Sequence, residues 1–100
     1  MKVIEKILSE FSQISEIERI YLFGSNVASP EIMDRDFDLC FVIDNGTNKE
    51  ILISIVTNFL IQKEILIHSV IYEKAEFEEK CKIPVYHENI IEKGKLLYQR

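Results

Sequence analysis

A chain of 100 residues, 47% hydrophobic and 29% charged, has the composition of one globular domain and lies outside the disordered and fibrous classes. Its formal net charge of −5 supplies no attractive field for a nucleic-acid backbone, so general nucleic-acid binding is not expected. No apolar run approaches the roughly 20 residues that cross a bilayer, and acids interrupt the opening MKVIEKILSEF, so the chain reads as cytoplasmic, with no membrane partner.

In chain order, Val3, Ile4, Ile7, Leu8 and Phe11 recur at helical spacing and predict a helix over residues 2–14. Residues 19–23 read as a short strand that Gly24 stops. Residues 25–29 fit a helical turn before Pro30. Over residues 36–43, Phe37, Leu39, Phe41 and Ile43 alternate with Asp36, Asp38, Cys40 and Val42, which predicts a second strand. The turn residues Asp44 to Thr47 end it.

Thr47 or Asn48 is suited to cap a helix reaching Gln62, with Ile51, Leu52, Ile55, Val56, Phe59 and Leu60 as its buried face. Residues 64–72 are apolar at nearly every position, so a third strand covered on both faces is expected. Two acidic helical pieces, over residues 75–81 and 89–97, complete the chain. Cys40 and Cys81 match no metal-ligand spacing and are expected to be reduced packing residues. The whole predicts a single domain over residues 1–100, of α/β (α+β) class, with helices packed on a small three-stranded mixed sheet.

Two features of this plan suggest chemistry. Asp36 and Asp38 stand at alternate strand positions, so their side chains leave the same face with Cβ atoms roughly 6 to 7 Å apart. Two carboxylates at that spacing can share a site for a divalent cation, and Mg²⁺ is commonly held by one or two carboxylates together with substrate phosphates. Gly24 and Ser25, directly after the preceding strand, offer the complement. A glycine lets backbone approach a phosphate closely, while Ser25 can donate from its hydroxyl and its N–H. Each feature alone also fits an ordinary turn or a solvated strand end; it is the joint order that is distinctive.

The order of strand, Gly24-Ser25, ten residues, Asp36-x-Asp38 and an apolar strand resembles the minimal nucleotidyltransferases of the DNA polymerase beta superfamily, small bacterial and archaeal antitoxin-like proteins. The segments ILIHSVIY and ENIIEKGKLLY add to the resemblance. It implies the polymerase beta-like fold and transfer of NMP from an NTP, in the first instance ATP, to a hydroxyl acceptor. It further implies metal binding by Asp36 and Asp38, two Mg²⁺ ions or Mn²⁺ in their place, and phosphate contacts from Gly24, Ser25 and Asn26. A helical HEPN-type protein is the partner it suggests. Relatives usually carry a third carboxylate on a neighbouring strand, and alignment puts His68 at that position. His68 therefore joins Asp36 and Asp38 as a candidate catalytic residue. The same substitution implies an alternative, a catalytically impaired module that binds nucleotide or protein.

Overall fold

The computed structural model describes residues 3–24 and 36–100. Helix α1 (Val3–Phe11) leads into β1 (Ile17–Phe23), and β2 (Asp36–Ile43) is followed by α2 (Glu50–Lys63) and β3 (Leu66–Glu73). Helix α3 (Lys74–Lys80), the short α4 (Pro84–Tyr86), a wide π-helical turn (His87–Glu92) and β4 (Lys95–Gln99) complete the order. The strands form one mixed sheet in the order β3-β2-β1-β4. β1 runs antiparallel to both β2 and β4, whereas β2 and β3 are parallel, the crossover between them being α2, as parallel pairing requires.

The period-two pattern of β2 decides what each face of the sheet does. Phe37, Leu39, Phe41 and Ile43 point into a core shared with Ile7 and Phe11 of α1 and Leu52 and Phe59 of α2. There the Phe11 and Phe41 rings lie 4.6 Å apart, centroid to centroid. Cys40 and Val42 point to the opposite face, where Tyr21, Phe77 of α3 and Ile90 of the π turn cover them. A register shift between Ile17 and Arg19 keeps Ile17 and Ile20 on one face although they are three residues apart. No helix among the described residues is long and apolar enough to cross a membrane.

The sheet has four strands rather than the three expected. The expected helix over residues 89–97 stops early: its first part is the π turn, and after Gly94 the chain becomes β4. Leu97 and Tyr98 then pack against the main core, and the strand satisfies the second hydrogen-bonding edge of β1, a tertiary gain that outweighs local helix propensity. β3 is not covered on both faces either. It ends the sheet, and only Ile67 in it is fully buried.

Helix α2 also buries a narrower face than expected. Leu52 and Phe59 are buried and Ile55 and Val56 partly so, but Ile51 and Leu60 are 50% and 47% exposed. At its start the N-cap is Lys49, without a side-chain cap bond, and not Thr47 or Asn48; just before it, the Asn48 side-chain oxygen accepts the Glu50 N–H at 3.0 Å. Its end is closed by Glu64 in the left-handed region at φ 55°, with Glu64 N–H donating to Leu60 O and Ile65 N–H to Phe59 O.

Candidate functional site

β2 opens with Asp36, and its alternation places Asp36 and Asp38 on the same face as Cys40 and Val42. Farther along, that face is buried; at the start of β2 it meets solvent, and the Asp36 side chain is 50% exposed. The parallel register pairs Asp36 with Leu66 and Asp38 with His68. His68 therefore leaves the sheet beside both carboxylates, and its Nε2 lies 3.2 Å from Asp36 Oδ1. With Nε2 donating to Asp36, Nδ1 is the ring nitrogen that can accept a proton.

Gly24 joins this group from the end of β1, whose last residue, Phe23, pairs with Asp38 across the antiparallel ladder. It adopts φ +81°, and a Cβ built on it would fall 2.3 Å from Asp38 Oδ2. Only a residue without a side chain leaves room for the Asp38 carboxylate there, and a positive φ strains any L side chain. The glycine and the aspartate thus occupy one seat, although fourteen positions separate them in the sequence. Ser25 and Asn26, expected to contact phosphates, lie outside the described residues.

A cleft of about 450 Å³ opens beside Gly24, lined also by Phe23, Tyr86, Asn89, Ile90 and Lys93. The neighbouring Tyr72 phenol has its pKa raised, first by burial, and both tyrosines pack against the Phe77 and Ile90 cluster. Lys93 pairs with Glu88 at 3.0 Å. None of the cleft residues supplied by the π turn was foreseen as functional. Their one signal in the sequence is an aromatic residue and a Lys-Gly pair bracketing a short acidic stretch. Below the carboxylates, burial pushes the Cys40 thiol up to about 12, so the floor on that side is a neutral, packed thiol. Both cysteines are free.

Among the described residues, no group of three or more histidine, cysteine or carboxylate side chains is gathered closely enough to hold a metal ion by itself. The Asp36 and Asp38 oxygens nevertheless suit a hard dication that takes its remaining ligands from phosphate and water. The room that Gly24 keeps around Asp38 Oδ2 matches such a use. His68 nitrogen is a poorer ligand for Mg²⁺ than the carboxylate oxygen that relatives are expected to have there.

A sequence model of the family described as "Polymerase beta, Nucleotidyltransferase" matches residues 5–100. No curated protein sequence matches the chain. Among solved structures, a candidate nucleotidyltransferase from Sulfolobus solfataricus is similar at 18% identity and a TM-score of 0.58, the match covering 98% of this chain and 78% of that one. A toxin-antitoxin structure with AMP-PNP is similar at 16% identity and a TM-score of 0.55, over 98% of this chain and 72% of that one.

Proposed function

This chain belongs to the polymerase beta nucleotidyltransferase family, and on that premise we propose that it transfers NMP from an NTP, with ATP the first candidate, to a hydroxyl on a partner protein. The observation that carries the reading is the convergence of Asp36, Asp38 and His68 on one sheet face, with Gly24 seated against Asp38. In the reaction the acceptor oxygen forms a bond to the α-phosphorus, the bond from that phosphorus to the β-phosphate bridge breaks, and pyrophosphate leaves. Asp36 and Asp38 would hold Mg²⁺ or Mn²⁺, which when bound neutralises phosphate charge and lowers the barrier to in-line displacement.

The chain's own residues have separable tasks. Asp38, given room by the absence of a Gly24 side chain, presents its carboxylate beside the end of β1. Asp36 orients the His68 imidazole through Nε2, leaving Nδ1 to take the proton that the acceptor hydroxyl releases. A carboxylate that orients a histidine in this way is a familiar arrangement for general-base work. The toxin-antitoxin neighbour with AMP-PNP supports an adenine nucleotide and a protein partner, for which a helical HEPN-type protein is our candidate.

A second reading is favoured by one observation, the imidazole standing where a third carboxylate is expected. Under it the chain binds Mg²⁺–NTP but turns over slowly, acting as a nucleotide-sensing or partner-binding module. The deciding experiment incubates purified protein with Mg²⁺ or Mn²⁺ and each α-labelled NTP, with and without cell lysate. Transfer of label to a discrete acceptor, lost by 10²-fold or more in Asp38→Ala, supports the enzyme. His68→Asp then separates the two readings: a lower rate identifies His68 as the proton acceptor, and a higher rate identifies an impaired site. Absence of transfer from both wild type and His68→Asp rules out the enzyme.

A further inference from the structure

We infer that the cleft beside Gly24 receives the nucleobase of the nucleotide, with Asn89 and Lys93 reading its edge and Phe23 and Tyr86 supplying aromatic surface for its face. The inference rests on the nucleotidyl-transfer reading and deepens it, by placing the end of the nucleotide that the carboxylates do not hold.

Position is the first argument. Gly24 both lines the cleft and touches the Asp38 seat, so one ligand can place its phosphates at the carboxylates and its remaining body in the cleft without leaving contact with the protein. A volume of about 450 Å³ falls within the usual range for small-molecule sites, which combine apolar walls with a few placed polar groups.

Charge then decides which part of the nucleotide enters. Lys93 is the one cation among the described lining residues, and it is already paired with Glu88 at 3.0 Å. The described residues of the cleft carry no surplus positive charge for phosphate. Its walls instead suit an uncharged planar ring, which proteins hold by stacking on aromatic side chains and by hydrogen bonds to the base edge.

The polar groups are arranged for such a ring. Tyr86 packs against the cluster that contains Tyr21, Phe77 and Ile90, and the Lys80 Nζ lies 5.3 Å from its ring centroid. Asn89 projects from the π turn, whose wide closure is visible in the Lys93 N–H donating to Glu88 O at 2.8 Å. Such turns recur at functional sites. The Asn89 amide makes no hydrogen bond to another described residue, so its donor and acceptor are both available to a base edge, the pairing by which asparagine reads bases elsewhere.

Calorimetric titration of the full chain with ATP, GTP, CTP, UTP and inorganic tripolyphosphate, each with Mg²⁺, tests this. Wild type is expected to bind at least one NTP about tenfold or more tighter than tripolyphosphate. Asn89→Leu and Lys93→Met, at exposed positions, are expected to keep the wild-type melting temperature. Each should weaken the preferred NTP roughly 5- to 100-fold and compress the differences between the four bases, leaving tripolyphosphate affinity unchanged.

Wild-type NTP binding with both variants unaffected would put the base elsewhere and overturn the cleft assignment while leaving the nucleotidyl-transfer reading intact. An equal loss of NTP and tripolyphosphate would make the cleft a phosphate site and overturn the assignment too. No binding of any NTP by wild type would remove both.

Discussion

Gly24→Ala perturbs the candidate site at its most constrained point. The residue sits at φ +81°, where an L side chain costs roughly 1–2 kcal/mol, and its new methyl would fall 2.3 Å from Asp38 Oδ2. That oxygen is the end of a partly exposed side chain, so the carboxylate turns aside by roughly 1 Å instead of forcing the strands apart, and a misplacement of that size is worth up to about 10²-fold in rate. Gly46→Ala is the matched control, since Gly46 has φ +82° with nothing within 4 Å of the added methyl. Both variants should lose about 1–2 kcal/mol in urea denaturation, or roughly 4–8 °C in Tm per kcal/mol. Only Gly24→Ala should also lose NMP transfer or Mg²⁺–NTP affinity, by about 10²-fold, measured well below its Tm. Equal functional losses in the two variants, or none in either, would refute the coupling of Gly24 to Asp38.

Three further outcomes are expected. The bidentate Arg100 guanidinium holds the Asp44 carboxyl below its ordinary 3.8. That stability is present above pH 3.8 and lost as pH falls through the lowered folded value, so acid unfolding of Arg100→Ala should begin at higher pH than that of wild type. Cys40 is raised from 9.0 to about 12, so between those values the unfolded thiol ionises first and stability falls with rising pH, by up to about 1.4 kcal/mol per unit. Cys40→Ala should lack this component of the alkaline slope, and native protein should be alkylated at Cys81 well before Cys40. On α2, Leu52→Ala should cost about 2–5 kcal/mol, whereas Ile61→Gln, at a side chain 72% exposed, should stay within about 0.5 kcal/mol; denaturation midpoints distinguish the two.

The site was legible in sequence to the extent that it depends on local alternation. Asp36 and Asp38 share a face because β2 keeps strict period two, and the expected strand over residues 36–43 coincides with the observed one. His68 opposite Asp38 depends on a parallel register, which periodicity does not encode; the family resemblance located it. Helix α2 was misjudged at Ile51 and Leu60 because apolar residues surround most of EILISIVTNFLIQK, leaving spacing little power to choose a face. β4 was missed because Leu96, Leu97 and Tyr98 satisfy either period, and the open edge of β1 is a tertiary fact. The cleft was invisible for the same reason, being built where residues 23–24 and 86–93 meet.

That meeting gives the edge strand β4 a role in timing. The π turn is carried between α4 and β4, and β4 is largely exposed or half-buried, fastened to β1 on one side and by the Arg100 N–H to Glu18 O at 2.8 Å. Peripheral strands of this kind open at lower free energy than central ones such as β2. Fraying of β4 is therefore expected to open the cleft at lower free energy than global unfolding does. A nucleotide that touches both Phe23 and Asn89 would close the seam between them, so its arrival should register as slowed amide exchange at Leu96 to Gln99, in a strand that contributes no side chain to the cleft.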